Sequence, residues 1–196
     1  MATFVPRYSE NSPVPIRGNP MWYSQNPFYQ SGYGMPNCTC YAWGRYWEIT
    51  GERPNLPTGN AGTWYANAPA RGYKTGRTPA LGAILCMGRR GYAGHVCVVE
   101  SINSEGTLTV SNSAWRGTFF FLTTNTRGNN YLPPGWASSG YYLQGFIYAG
   151  QYDPGPDPPD PGPDPGPDPG PGPSWRIPGQ LKYWNYAPNW FKRYVR

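Results

Sequence analysis

The spacing of apolar and polar residues predicts one early helix followed by a series of strands. Between Cys38 and about Glu48, glycine and proline are sparse and aromatic residues recur among polar ones, which indicates a helix that ends at Gly51. Further along, short apolar runs bounded by glycine or turn residues predict strands. The predicted strands cover residues 83–87, 95–102, 107–111, 119–122 and 144–148. One helix followed by four or five antiparallel strands is an α+β layout.

A stretch built from three residue types divides the chain. Residues 153–173 consist of 11 prolines, 5 glycines and 5 aspartates. Such a segment has no apolar side chains to bury and its prolines lack backbone donors, so it is typical of an extended linker. We therefore predict a globular domain over residues 1–150, a linker over 151–174 and a short tail over 175–196.

The net charge of +6 is unevenly distributed along the chain. The predicted globular domain is basic, the linker carries only acidic charges, and the tail carries five basic residues and no acidic one. A positive field attracts polyanions, but adjacent basic residues are limited to Arg89-Arg90 and Lys192-Arg193, so we do not predict a nucleic-acid partner. On a helix, the tail's last aromatic residues would face away from its bases, which suits an anionic wall polymer or membrane surface. Folding of the tail back onto the domain, or disorder of the tail, fits its sequence equally well.

The first twenty residues lack the apolar core of a secretory signal peptide. The chain also lacks a run of roughly 18 apolar residues, which a transmembrane helix needs. The four cysteines do not have the spacing of a disulfide scaffold. We therefore expect a reduced, monomeric protein that is made in the cytoplasm without a signal peptide.

Three residues are candidates for thiol chemistry. Cys38 lies in Asn37-Cys38-Thr39, where the helix should begin. A helix N-terminus and a nearby imidazolium both lower the pKa of a cysteine, and the backbone N–H of Cys38 is placed to bind an oxyanion. His95, the chain's one histidine, lies on a predicted strand. Asn112, on the strand expected to pair with it, is a candidate to orient the imidazole.

Spacing alone leaves other interpretations of these residues open. A single histidine is often structural, and Cys38 is also compatible with a small buried packing residue. Zinc is a further alternative, although the C-x-C spacing of Cys38 and Cys40 is tighter than usual for structural zinc ligands.

Five ordered blocks closely resemble the CHAP domain family (cysteine, histidine-dependent amidohydrolase/peptidase) between about residues 19 and 150. The blocks are NCTCYAWGR at 37–45, PALGAI at 79–84, GHVCVVE at 94–100, SNSAW at 111–115 and QGFIY at 144–148. The resemblance implies a papain-like α+β fold in which the helix carrying the nucleophile packs on an antiparallel sheet. It implies Cys38 as the nucleophile, His95 as the general base and Asn112 as the third member. Cys40 stands where the family usually has tryptophan, and we interpret it as a packing residue.

The resemblance also implies a function, the cleavage of amide bonds in bacterial peptidoglycan. The family occurs in phage endolysins, virion-associated lysins and autolysins, and we expect an endolysin-like, bacteriolytic amidase or endopeptidase. It would reach the wall after release during phage lysis or from the virion. The alternatives are a virion structural protein with secondary hydrolase activity and a wall-binding module without catalysis. Some members bind calcium through aspartates before the nucleophile; residues 23–37 contain no acidic residue, so we predict no metal and no other cofactor.

Overall fold

The computed structural model describes residues 4–150, so the predicted linker and tail lie outside the described residues. Helices and one antiparallel sheet make up this part of the chain, which confirms the predicted α+β class. Within it, no helix has both the length and the apolar character needed to cross a membrane.

Six strands form the sheet in the order β1-β6-β2-β3-β4-β5. They are β1 (Thr75–Gly76), β2 (Ile84–Arg89), β3 (His95–Ile102), β4 (Leu108–Asn112), β5 (Phe121–Asn125) and β6 (Tyr141–Ile147). The α-helices are α1 (Pro27–Gln30), α2 (Cys38–Thr50) and α3 (Trp64–Asn67), and 3-10 turns cover Ala61–Thr63, Pro69–Arg71, Arg127–Asn129 and Ala137–Ser139. Strands β3 and β4 form the predicted hairpin.

Helix α2 begins and ends at the residues that the sequence indicates. Asn37 is extended (φ −165°), and its side-chain oxygen accepts a 3.0 Å hydrogen bond from the backbone N–H of Thr39. This bond satisfies one of the donors that the first helical turn leaves without a partner. Gly51 ends the helix in the left-handed conformation (φ 74°), which glycine adopts without steric strain.

The sheet is buried on both faces. Helix α2 belongs to the core cluster on one face, which includes Val96 and Val98. The opposite face holds a second cluster, which includes Cys97 and Val99. Because successive strand residues point to opposite faces, β3 is apolar on both faces from Val96 to Val99 and is buried in the core of the domain.

A cluster of four buried charges connects the N-terminal segment to this core. Glu100 on β3 accepts two hydrogen bonds from Arg45 of α2, at 3.0 and 2.7 Å, and one at 2.7 Å from the backbone N–H of Arg7. Glu48 pairs with the guanidinium groups of both arginines. Since every charge has an opposite partner, burial does not leave any of them uncompensated. No pattern in the sequence predicts this cluster, because Arg7, Arg45 and Glu100 are far apart in the chain.

Of the predicted strands, two differ from the structure by three residues at one end. The strand expected at 119–122 is Phe121–Asn125, because Phe119 instead lies against the Arg17 guanidinium at 3.9 Å. The strand expected at 144–148 begins at Tyr141, directly after a turn that closes at Gly140 with φ 83°. Strand β1 was not predicted, since two residues cannot show an alternating pattern.

Candidate active site

Cys38 is the first residue of α2, and its side chain is almost fully buried (8% exposed). Its sulfur is within hydrogen-bonding reach of the backbone N–H groups of Val96, Thr39 and Cys38 itself. Val96 is the second residue of β3, so the thiol lies at the start of that strand. The thiol of Cys38, the predicted nucleophile, therefore lies beside Val96, which directly follows His95.

His95 is the first residue of β3 and is also buried, with 6% exposure. Its Nε2 lies 3.1 Å from Oδ1 of Asn112. The side-chain amide of Asn112 donates to the carbonyl oxygen of Val110 (3.1 Å) and to the hydroxyl of Thr123 (3.2 Å), so its oxygen is the atom that faces the ring. Because Oδ1 of Asn112 can only accept a hydrogen bond, the proton of the neutral His95 ring lies on Nε2. Nδ1 is then the nitrogen that can accept a proton.

A ring contact and a close approach of the backbone fix the position of His95. The ring of Trp136 meets that of His95 edge to face, with centroids 5.0 Å apart. Gly94, with φ 75°, lies so close to Gly62 that a Cβ on Gly94 would be 2.7 Å from Gly62 Cα and 2.6 Å from the carbonyl oxygen of Met87. Residue 94 must therefore be glycine for β3 to begin in this position. Nothing in the sequence marks Gly62 as a neighbour of His95.

Burial determines the charge state of both predicted catalytic groups. It raises the pKa of the Cys38 thiol above its ordinary value, and the hydrogen bonds from backbone N–H groups oppose this only in part. Burial also lowers the pKa of His95 to about 4, although the hydrogen bond to Asn112 acts in the opposite direction and raises this pKa. The prediction that the helix N-terminus lowers the thiol pKa is therefore wrong for this structure, because the loss of solvent outweighs the helix. At neutral pH the thiol and the imidazole are both neutral.

The other cysteines are buried in the core. Cys40 is fully buried, and its sulfur is 3.4 Å from the carbonyl oxygen of Trp22. Burial raises the pKa of this thiol to about 12, so it does not ionise near neutral pH. These contacts agree with the interpretation of Cys40 as a packing residue. Among residues 4–150, no three His, Cys, Asp or Glu side chains are grouped so that they could hold a metal ion.

A buried cysteine at a helix N-terminus, together with a histidine oriented by an asparagine, is the arrangement of papain-like thiol enzymes. Residues 28–114 match the family model of the CHAP domain. The match confirms, over these residues, the resemblance to the CHAP domain that the sequence blocks indicate.

The curated proteins to which this chain is similar include two from staphylococci. One is a probable autolysin of Staphylococcus aureus, 41% identical over 85 residues, which are 43% of this chain and 30% of the relative. Another is an N-acetylmuramoyl-L-alanine amidase of Staphylococcus saprophyticus, 31% identical over 123 residues, which are 58% of this chain and 36% of the relative. The chain thus spans about a third of the length of these relatives. Among solved structures, the fold is similar to that of an N-acetylmuramoyl-L-alanine amidase from Staphylococcus aureus, with a TM-score of 0.45 and 22% sequence identity. The match covers 71% of this chain and 37% of the amidase chain.

Proposed function

We propose that this protein is a cysteine-dependent hydrolase that cleaves an amide bond of bacterial peptidoglycan. The observation that carries the proposal is the buried hydrogen bond between His95 and Asn112, at 3.1 Å, beside the strand position that the Cys38 thiol contacts. The match to the CHAP domain model and the names of the relatives, a probable autolysin and an amidase, support the bacterial wall as the substrate.

The first step of the proposed reaction begins from a neutral pair. Nδ1 of His95 accepts the proton of the Cys38 thiol while the sulfur attacks the carbonyl carbon of the amide. The hydrogen bond from Nε2 to Asn112 keeps Nδ1 directed toward the reacting atoms. Asn112 is neutral, so it orients the ring and does not compensate the charge of the imidazolium.

The oxyanion of the tetrahedral intermediate would lie near the first turn of α2. The backbone N–H of Cys38 has no helical partner there, so it is available to donate to a developing negative charge. The imidazolium of His95 then protonates the leaving amine, and the C–N bond breaks to give a thioester. Water, deprotonated by His95, attacks the thioester and releases the carboxylate product and the free thiol.

Clearing of purified peptidoglycan tests the proposal. Cys38→Ser should abolish clearing, because a serine hydroxyl beside a weakly basic imidazole is a much poorer nucleophile. Cys40→Ala, on the same helix, is the matched control and should clear the suspension at a rate close to wild type. Thermal unfolding of both variants verifies that they fold. Equal clearing by Cys38→Ser and wild type would exclude Cys38 as the nucleophile.

The setting of the activity in phage lysis is a further part of the proposal. The relatives named above are bacterial proteins, so the endolysin assignment stays a prediction. Synthesis of the chain inside a Gram-positive host tests it. An endolysin made in the cytoplasm should leave cells intact until the membrane is permeabilised and then lyse them. Lysis without permeabilisation would contradict this route.

A further inference from the structure

A groove of about 370 Å³ opens at the N-terminal end of α2. Seven residues line it: Tyr29, Gly32, Gly34, Met35, Pro36, Trp115 and Arg116. We call it the aromatic groove. Its volume is within the range of small-ligand sites, roughly 300–1,000 Å³, and near the lower limit. It is therefore large enough for a small rigid group such as a sugar ring.

The aromatic side chains at this groove are unusually exposed for their size. Tyr29 is 46% exposed, Trp115 is 45% exposed, and the neighbouring Tyr33 is 56% exposed. The other tryptophans in residues 4–150 are all buried or half-buried. The rings of Tyr33 and Trp115 are 5.5 Å apart and inclined by 36°. Together they form a continuous aromatic surface that faces solvent, and an exposed apolar surface of this kind is typical of a ligand site.

The backbone around the groove is held in place before any ligand binds. Arg116 adopts the left-handed conformation with φ 52°, and its backbone N–H donates to the carbonyl oxygen of Pro36 at 3.3 Å. The side-chain amide of Asn37 donates to the carbonyl oxygen of Tyr33 at 2.9 Å. A strained non-glycine residue that its neighbours hold in place is a feature of binding and active sites.

The aromatic groove is formed by residues that lie close to the candidate active site along the chain. Pro36 precedes Cys38 by two residues, and Trp115 follows Asn112 by three. Since a chain advances at most about 3.6 Å per residue, Pro36 lies within roughly 7 Å of Cys38 and Trp115 within roughly 11 Å of Asn112. These limits place the two groove residues close to the candidate active site, and Cys38, His95 and Asn112 themselves are not part of the groove lining.

We propose that the aromatic groove binds a sugar ring of the peptidoglycan glycan strand. The inference rests on the proposed function and adds a subsite to it. Sugars present flat C–H faces that pack against aromatic rings, and their hydroxyl and acetamido oxygens accept hydrogen bonds. The Arg116 guanidinium, 5.1 Å from the Trp115 ring, supplies donors beside the aromatic surface. The groove lining contains one cationic and no acidic side chain, so it does not repel a neutral or anionic glycan.

A sugar in this groove also selects the bond that is cleaved. The amide nearest to the sugar joins the lactyl group of muramic acid to the first residue of the stem peptide. Bonds of the cross-bridge are three or more residues further away, which is roughly 10 Å or more in an extended peptide. With a sugar held in this groove near Cys38, the amide closest to the thiol is the one at the base of the stem. The groove therefore predicts an amidase rather than a cross-bridge endopeptidase.

The test measures binding of peptide-free glycan strands to the full-length protein by titration calorimetry. Trp115→Ala should weaken binding by roughly three- to tenfold, the loss expected for one aromatic contact, and Trp115→Phe should retain most of it. Tyr8→Ala is the matched control, because Tyr8 is similarly exposed (51%) and is not part of the groove lining. Unchanged binding in Trp115→Ala would overturn the subsite.

A kinetic comparison separates the subsite from the proposed function. With wild type, a disaccharide-linked stem peptide should have a lower KM than the same stem peptide carrying only the lactyl group, which keeps the scissile amide but lacks the sugar ring. Trp115→Ala should raise the KM of the sugar-linked substrate to that of the lactyl peptide. An equal effect of Trp115→Ala on both substrates would identify the groove as a peptide site and overturn the proposal. Glycan binding that depends on Trp115, in a protein that cleaves neither substrate, would refute the hydrolase and leave the sugar site standing.

Discussion

The burial of His95 makes a quantitative prediction about acid stability. Its pKa is about 4 in the folded protein, compared with roughly 6.5 for an exposed histidine. A lowered pKa means that the unfolded chain binds more protons than the folded one between these two values. The free energy of unfolding therefore falls as the pH is lowered from about 6.5 toward 4. Between pH 7 and pH 5, the loss from this one residue is about 2 kcal/mol.

The prediction is tested by urea unfolding of the wild type and of His95→Gln at pH 7 and at pH 5. Glutamine does not titrate, so the variant should lose about 2 kcal/mol less stability over this interval. Buried carboxylates such as Glu100 contribute their own acid sensitivity, but they are the same in both proteins and cancel in the difference. If both proteins lose equal stability between pH 7 and pH 5, the imidazole is not buried as described.

Three further predictions concern the site and its support. Glu100→Gln should destabilise the fold by roughly 3–5 kcal/mol in urea unfolding, because it leaves buried arginine charge uncompensated; the exposed Glu105→Gln should change stability by less than about 0.5 kcal/mol. Asn112→Ala should lower kcat by tenfold or more with little change in KM, because the base it orients contributes roughly 10²–10⁴-fold; an unchanged kcat would remove Asn112 from the site. Alkylation of Cys38 by iodoacetamide should be slow at pH 7 and should accelerate above pH 9, since burial raises the pKa of the thiol; rapid reaction at pH 6 would show a thiolate instead.

The sequence was sufficient to predict the helices and strands that have strong local signals. Helix α2 has an N-cap at Asn37 and a glycine stop at Gly51, and the hairpin of β3 and β4 has apolar runs on either side of a turn. These features depend on residues close together in the chain, so a reading of the sequence can find them. The His95–Asn112 hydrogen bond was also anticipated, from the pairing of the two strands and from the family blocks.

Features that depend on distant residues were not predictable in the same way. The pKa of Cys38 is set by how much solvent the folded chain excludes, whereas a helix N-terminus alone indicates the opposite direction. The contact between Gly62 and Gly94 joins two loops that no sequence pattern connects. Arg7 reaches Glu100 across 93 residues, and it lies outside the part of the chain that matches the CHAP model.

Glu100 connects the three elements that carry the candidate catalytic residues. It lies on β3, the strand that carries His95. It accepts hydrogen bonds from Arg45 of α2, and Cys38 is the first residue of that helix. It also accepts a 2.6 Å hydrogen bond from the hydroxyl of Ser111, which precedes Asn112 on β4. One buried carboxylate therefore fixes the helix and both strands relative to one another. A change at Glu100 should thus disturb the alignment of thiol, imidazole and amide as well as the stability of the fold. The backbone N–H of Arg7, which donates to the same carboxylate, makes the N-terminal segment part of this support.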